Sequence, residues 1–124
     1  MQVKASIAMG PTSVTIEADQ AVFQGYKSGI FNSKLCGTDL DHAVTAVGYG
    51  VQDKKEYYIV RNSWGADWGD KGYIYIEAPK GTSPGICGIQ KESLWPTTSW
   101  LEKIIPFKSN CNPKFHFEGV LGFW

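Results

Sequence analysis

Two short apolar runs separated by a polar loop constrain the fold of this chain more than any other feature. The first run, DHAVTAVGYG, contains His42 near its start, and the second, YYIVRNSWG, contains Asn62. The polar residues between them, 51–56, have the length of a hairpin loop. Antiparallel strands joined in this way bring the end of the second strand back to the start of the first. We therefore predict that Asn62 lies beside His42.

The composition indicates one globular domain without a strong electrostatic preference. The 124 residues include 12 basic and 12 acidic side chains, so no nucleic acid and no anionic membrane is expected as a partner. No apolar run approaches the ~20 residues of a spanning helix, and the opening MQVKASIAMG lacks the apolar core of a signal peptide. The protein is therefore expected to be cytosolic as it stands, unless its targeting segment belongs to sequence outside these residues.

Other segments show the alternation that is typical of half-buried strands. TSVTIEA, which begins at residue 12, places Glu17 on the face opposite to its apolar side chains. GYIYIEA, which begins at residue 72, separates tyrosines from isoleucines, and QVKASIAM near the start is compatible with a short helix. We predict a mainly β fold within the α+β class, an antiparallel sheet or open barrel with one or two short helices.

Three cysteines limit the redox and metal chemistry. Cys36, Cys87 and Cys111 are an odd set, so at least one is free or paired with another chain if the environment is oxidising. The two histidines and the cysteines show no CxxC or HxxxH spacing, so no metal site is expected. No cofactor is expected either.

The character of the sequence changes near residue 97. Residues 98–124 are rich in aromatic side chains, have no clean period and contain Cys111 and His116. We leave this tail unassigned and interpret His116 as a solvated surface histidine. The chain is thus divided into a domain over residues 1–97 and a tail over residues 98–124.

Four motifs are specific enough to compare with known families: SGIF, CGTDLDHAVTAVGYG, YYIVRNSWGADWGDKGYI and GICGI. Together they resemble the C-terminal half of papain-like cysteine peptidases. The resemblance covers about residues 3–96, and motifs of this length are specific. It implies that residues 1–97 form the right-hand lobe of a papain-like fold, the lobe that carries the histidine and the asparagine. It also implies a cysteine-type endopeptidase, a peptide or protein substrate, and a lysosomal or extracellular location.

The same resemblance implies catalytic roles for His42 and Asn62. His42 would accept the proton of a cysteine thiol and later protonate the leaving amine. Asn62 would orient the imidazole, Trp64 would shield that hydrogen bond from water, and Trp68 would line the leaving-group side of the cleft. In this family the nucleophile precedes the histidine by about 130–150 residues. Nothing like CGSCW occurs here, so we expect a separate N-terminal lobe to supply the nucleophile and the glutamine of the oxyanion hole.

In the papain-like pattern the cysteine before DHAV pairs with the one in GICG, which implies a disulfide between Cys36 and Cys87. That bond would close a loop of about 50 residues, a constraint worth on the order of 4 kcal/mol in the chain-entropy model. The alternative is that Cys36 is itself the nucleophile, but no activating feature surrounds that residue in the sequence. Cys111 is left without a role.

The resemblance also implies a pocket for the second side chain upstream of the cut. Thr15 and Ala43 would line this pocket, and Glu92, five positions after Cys87, would form its floor. An acidic floor resembles that of cathepsin B, which accepts arginine beside bulky apolar groups, because a carboxylate can pair bidentately with a guanidinium. The alternative is that Glu92 points to solvent, since the surrounding QKES is polar throughout.

Two other functions stay open at this point. A stand-alone lobe could bind peptides or inhibit a peptidase without cleaving, or it could be a non-functional fragment that folds poorly. An isolated lobe would expose the apolar face that meets its neighbour, and such a patch on a monomer indicates a partner or aggregation. The isolated chain is expected to be inactive as a peptidase because it holds a base without a nucleophile.

Overall fold

The computed structural model describes residues 2–94, which form one six-stranded sheet with short helices. The helices are α1 (Gln2–Met9) and α2 (Ala21–Gln24), with a 3-10 turn at Ile86–Gly88. The strands are β1 (Thr12–Ile16), β2 (Ile30–Phe31), β3 (His42–Gln52), β4 (Lys55–Arg61), β5 (Tyr73–Glu77) and β6 (Ser93–Leu94). Their order across the sheet is β2-β5-β4-β3-β1-β6.

The predicted mainly β fold with few short helices is confirmed, and the sheet is mixed rather than purely antiparallel. Strand β2 runs parallel to β5, whereas the other registered pairs within residues 2–94 are antiparallel. A parallel pair needs a long connection along the chain, and here the connection from β2 to β5 contains the whole β3–β4 hairpin. No helix in this part of the chain is long and apolar enough to cross a membrane.

The predicted domain boundary at residue 97 is not tested by this structure. The tail over residues 98–124, with Cys111 and His116, lies outside the described residues. The boundary and the tail therefore stay predictions.

Alternation along the strands places the core on one face of the sheet. Strands β1, β4 and β5 alternate buried with half-buried or exposed residues, as a period of two requires. The predicted separation in GYIYIEA is confirmed, since Ile74 and Ile76 are fully buried. Helix α1 adds Val3 and Ile7, which lie one helical turn apart, to the same core. The strands contribute Val14, Ile16, Phe31, Val44, Ala46, Tyr58, Val60, Ile74 and Ile76.

The turn of the β3–β4 hairpin is tighter than the polar segment 51–56 predicts. Gln52 pairs with Lys55, so only Asp53 and Lys54 form the turn. Both have positive φ, 51° and 64°, which is the backbone of a two-residue turn that matches the twist of its strands. Aspartate tolerates this conformation, whereas a lysine adopts it at a cost that glycine avoids.

One irregularity interrupts the hairpin ladder. Ala46 is registered with Val60, and Gly48 is registered with the adjacent residue Ile59. Val47 is therefore an extra residue without a partner across the ladder, a β-bulge. Bulges of this kind often re-aim side chains near functional sites.

Candidate active site

The first residue of β3 and the residue after β4 meet at one end of the hairpin. These residues are His42 and Asn62. The Nε2 atom of His42 lies 2.8 Å from Oδ1 of Asn62. The two side chains are thus in direct contact although 20 positions separate them, as the hairpin geometry predicts.

The hydrogen bonds around Asn62 fix which nitrogen of His42 carries the proton. The backbone N–H of Ser63 donates to Asn62 Oδ1 at 2.7 Å, which identifies that atom as the carbonyl oxygen. Nε2 of His42 must therefore donate to the same oxygen. In the neutral ring Nδ1 is then the proton acceptor, and no group within residues 2–94 hydrogen-bonds to it.

Asn62 is held in the interior at a cost in stability. It is 7% exposed, and its backbone N–H donates to the carbonyl oxygen of Gly72 at 3.0 Å. Its side-chain Nδ2 is also buried, but this atom finds no acceptor in the described part of the chain. A buried donor without a partner costs about 1–3 kcal/mol. An asparagine kept at such a place indicates a functional constraint on the side chain.

An aromatic wall covers one face of the His42 ring. The indole of Trp64 stacks on the imidazole, with ring centroids 5.2 Å and planes 23° apart. Trp64 in turn packs in T-shaped contacts with Trp68 and Phe23, at centroid distances of 5.2 and 5.6 Å. The stack restricts rotation of the imidazole, although Trp64 itself is 39% exposed.

Trp68 supports Trp64 from the α2 side. Its Nε1–H donates to the carbonyl oxygen of Gln24 at 2.9 Å, and its ring lies 5.3 Å from Phe23 and 5.9 Å from Tyr26. The leaving-group role expected of Trp68 stays a prediction. Sequence reasoning missed Phe23 and Tyr26, although their three-residue spacing in AVFQGY indicates one buried helical face.

A glycine allows the tight loop that carries both tryptophans. Gly69 has a φ of +60°, and a Cβ there would lie 2.6 Å from the carbonyl oxygen of Tyr73. The same oxygen accepts the backbone N–H of Asp70 at 2.9 Å. A side chain at position 69 would therefore disrupt the contact that closes the loop.

Tyr26, which packs against Trp68, and Tyr75 in β5 have raised pKa values. Burial is the main reason that the pKa of Tyr26 lies above its usual 10.0, and its hydroxyl donates to the carbonyl oxygen of Gly29 at 2.6 Å. Burial likewise raises the pKa of Tyr75, and the nearby carboxylate of Asp70 raises it further. Both hydroxyls are neutral near pH 7.

Within residues 2–94 no group of three His, Cys, Asp or Glu side chains is placed to hold a metal ion.

The segment before β3 is tied to the end of β1. Asp41 donates its backbone N–H to Ile16 O at 3.0 Å, and its Oδ1 accepts the backbone N–H of Ala18 at 2.8 Å. Cys36 forms a disulfide with Cys87, the pair that the family resemblance implies. These contacts fix the chain immediately upstream of His42.

Glu17 is buried, which the alternation in TSVTIEA does not predict. Strand β1 ends at Ile16, so the period of two no longer applies at the next residue. Glu17 is only 5% exposed because the segment before His42 covers its carboxylate.

The three residues predicted for the substrate pocket lie in one row across the sheet. Ala43 is registered with Thr15, and Thr15 donates its backbone N–H to Glu92 O at 3.5 Å. The row begins at the strand position next to His42. The side chain of Glu92 is exposed and has no ion-pair partner within residues 2–94, as the solvent-facing alternative expects.

Known proteins share this fold and its motifs. Residues 1–97 match the family described as papain family cysteine protease. Chymopapain from Carica papaya is 53% identical over 91 residues, which cover 73% of this chain and 26% of that protein. The oryzain beta chain from Oryza sativa subsp. japonica is 49% identical over 94 residues, which cover 76% of this chain and 20% of that protein. This chain therefore spans about a quarter or less of the length of these relatives.

A solved structure agrees with the sequence relatives. The bromelain protease from Ananas comosus, determined in complex with the E64 inhibitor, gives a TM-score of 0.72 at 49% identity. The match covers 78% of this chain and 45% of that one. The family match over most of the chain and the shared fold lead to one conclusion. This chain belongs to the papain family of cysteine proteases.

Proposed function

We propose that this chain is the base-bearing lobe of a cysteine-type endopeptidase, and that a second lobe supplies the thiol nucleophile. The observation that carries the proposal is the hydrogen bond of 2.8 Å between His42 Nε2 and Asn62 Oδ1 beneath Trp64. This bond leaves Nδ1 as the proton acceptor of an oriented ring. A thiol needs a base of this kind to become a nucleophile.

In this proposal Nδ1 of His42 takes the proton of the cysteine thiol. The thiolate forms a bond to the substrate carbonyl carbon, and the ring gives the proton to the leaving amine as the C–N bond breaks. The same nitrogen then takes a proton from water, whose oxygen displaces the thiolate and releases the acid. Asn62 remains neutral and holds the ring in place through each transfer.

The state of the described cysteines supports a nucleophile from another lobe. Cys36 and Cys87 are joined to each other, so neither is a thiol. A thiolate facing His42 must then come from outside residues 2–94.

The same observation also favours a second candidate function, a lobe that binds peptides or inhibits a peptidase without cleaving. The row formed by Ala43, Thr15 and Glu92 beside His42 offers a surface for a peptide in either case. The two candidates differ only in whether a thiol reaches His42.

A chimera separates the two candidates. Residues 1–97 would replace the matching segment of chymopapain, and hydrolysis of a fluorogenic Phe-Arg amide would be measured. The peptidase proposal expects an active chimera that a thiol alkylator blocks, and an inactive full chain. A folded, peptide-binding but inactive chimera would support the second candidate. Cleavage by the full chain alone, blocked by the alkylator, would place the nucleophile inside this chain and contradict the two-lobe proposal.

We also propose that Glu92 lets the completed enzyme accept arginine as the second residue upstream of the cut. The backbone of Glu92 stands at the end of the row that begins next to His42, and its exposed carboxylate is not paired with a cation in the described residues. The chimera should then cleave both Phe-Arg and Arg-Arg amides, and Glu92→Ala should remove only the second activity. Asp19→Ala, which removes an exposed carboxylate elsewhere, is the matched control. Equal loss of both activities in Glu92→Ala would contradict this role.

An oxidising compartment, lysosomal or extracellular, is the location we propose. The Cys36–Cys87 disulfide supports it, because disulfides persist in such compartments and are rare in the cytosol. Peptide mapping of the native protein without reduction should recover the two cysteines as one linked pair. Recovery of both as free thiols would contradict the proposed location.

A further inference from the structure

Glu17 is a buried carboxylate that holds the segment preceding His42. Its Oε2 accepts the backbone N–H of Asp39 at 2.6 Å, and its Oε1 accepts Nε2–H of Gln20 at 2.9 Å. Glu17 is 5% exposed and has no ion-pair partner within residues 2–94. A buried carboxylate without a cation depends on its hydrogen bonds, so these two contacts define its place.

Gly37 shows how closely the segment is packed against this carboxylate. A Cβ at Gly37 would collide with both carboxylate oxygens of Glu17. The carboxylate cannot move aside cheaply because it is buried and held by two hydrogen bonds. The segment over residues 37–41 is therefore shaped around Glu17.

The segment matters because His42 stands at the end of a ladder. Its pair with Ile16 is the last one between β1 and β3, and the ends of ladders open most easily. Beyond this pair the chain is held by the contacts of Asp41 with Ile16 and Ala18, and by the bond from Asp39 to Glu17. An exposed hydrogen bond from the Lys91 side chain to Thr38 O and the Cys36–Cys87 disulfide add to these contacts. Loss of the Glu17 bond would leave one fewer contact to keep the imidazole in place.

We propose that Glu17 is a positioning residue for His42. Its carboxylate holds residues 37–41 against the end of β1, so that the imidazole keeps its hydrogen bond to Asn62 and its stacking on Trp64. Glu17 touches neither the ring nor a substrate and acts through the intervening backbone. The catalytic meaning of this role rests on the proposed function, whereas the positioning itself is a property of this chain.

The test measures the imidazole in the full chain and needs no catalysis. The Nε2 proton of His42, donated to Asn62, is followed by NMR, and its exchange with water is measured. In Glu17→Ala we expect this exchange to be roughly tenfold faster or more, because a hydrogen bond to a charged group is lost. The backbone amides of Tyr58 and Val60 in the core strand β4 should change far less.

Glu17→Gln is the conservative rescue. Its amide oxygen can still accept the N–H of Asp39, and the Gln20 amide can turn to present its oxygen to the new NH2 group. Exchange at His42 should stay within about threefold of the unsubstituted chain. Asp19→Ala removes an exposed carboxylate that contacts only the Gln20 side chain, and as the matched control it should leave the exchange unchanged.

Gly37→Ala gives a second test that leaves Glu17 in the chain. The added methyl group should push the carboxylate off Asp39 and speed the exchange at His42 to a similar degree. The double variant Gly37→Ala/Glu17→Ala should be no faster than Glu17→Ala alone, because the short side chain at position 17 removes the collision. If Glu17→Ala does not fold, Gly37→Ala carries the test with the same two measurements.

Two results would overturn the proposal. One is a Glu17→Ala chain in which His42 exchange is unchanged. The other is equal acceleration at His42 and at the β4 amides, which would mean a role in general stability only.

Turnover in the chimera separates this proposal from the proposed function. An inactive chimera would contradict the proposed function without affecting the NMR result on the position of His42. In an active chimera Glu17→Ala should lower kcat about tenfold with KM within about twofold, because the ring is misplaced and the substrate surface is intact. Glu17→Gln should restore kcat.

Discussion

The two ends of the β3–β4 hairpin use the same pair of strands under opposite demands. At the turn end, residues 51–56, the side chains are largely exposed, and the constraint lies in the positive φ of Asp53 and Lys54. At the site end, His42 and Asn62, the constraint lies in side-chain contacts, and Asn62 keeps a buried donor without an acceptor. Substitutions at the turn end can therefore raise the stability of the fold, whereas the site end is less stable than it could be because it holds one imidazole in place.

The largest expected effect at the site end is on turnover. In an active chimera His42→Ala should lower kcat/KM by on the order of 10⁴-fold or more, because the thiol loses its base. Asn62→Ala should lower it less, because only the orientation of the ring is lost. Lys54→Ala at the turn end is the control and should stay within about twofold of the parent. Equal losses in folded His42→Ala and Asn62→Ala would show that orientation alone is too small a role for Asn62.

A stability effect of the next size is expected in the loop beside the site end. Gly69→Ala should lower the free energy of unfolding by about 2–3 kcal/mol, from the positive φ and from the collision with Tyr73 O. Gly81→Ala is the matched control, since Gly81 has a φ of +95° and open space around it. It should cost only about 1 kcal/mol. Urea unfolding of the full chain measures both, and equal costs would refute the collision at Tyr73.

A smaller effect of opposite sign is expected at the turn end. Lys54→Gly should raise the free energy of unfolding by about 0.5–1 kcal/mol, because Asp-Gly suits a two-residue turn with positive φ. Lys55→Gly removes the same charge from a strand position and should destabilise instead. Thermal unfolding of the two variants checks the signs. Destabilisation by Lys54→Gly would mean that the lysine side chain contributes more than its backbone costs.

The smallest expected effect is the pH dependence of the ion pair at the turn end. The hydrogen bond and charge of Lys4 hold the pKa of Glu56 below its usual 4.5. A carboxyl group with a lowered folded pKa adds stability above its unfolded pKa, and this is lost as pH falls through the folded pKa. Lys4→Met should therefore flatten the loss of unfolding free energy below about pH 4.5.

The effect of Lys4→Met should be small because the pair lies near solvent, and 1 M salt should remove most of it. Lys27→Met, at an exposed site on another element, is the charge-matched control. If both variants showed the same pH profile, the Lys4–Glu56 pair would not be its cause.

Period-two alternation predicted the main strands, and the hairpin they form predicted the contact between His42 and Asn62. The alternation did not predict the burial of Glu17, because a strand pattern says nothing once the strand has ended. The polar segment over residues 51–56 predicted too long a turn, because Asp-Lys lacks the glycine that marks a two-residue turn. The parallel pairing of β2 and the packing of Phe23 under the tryptophans depend on residues far apart in sequence, which no local pattern contains.

The bulge at Val47 bears on how this hairpin can vary in evolution. A straight ladder running back from the two-residue turn would set Ala46 opposite Arg61, an apolar core position against an exposed cation. With the extra residue, Ala46 meets Val60 instead, and the inward side chains of both strands share a face. Loss of Val47 would join Ala46 to Gly48 and leave a regular ladder in which the pairs on both sides of the bulge are kept.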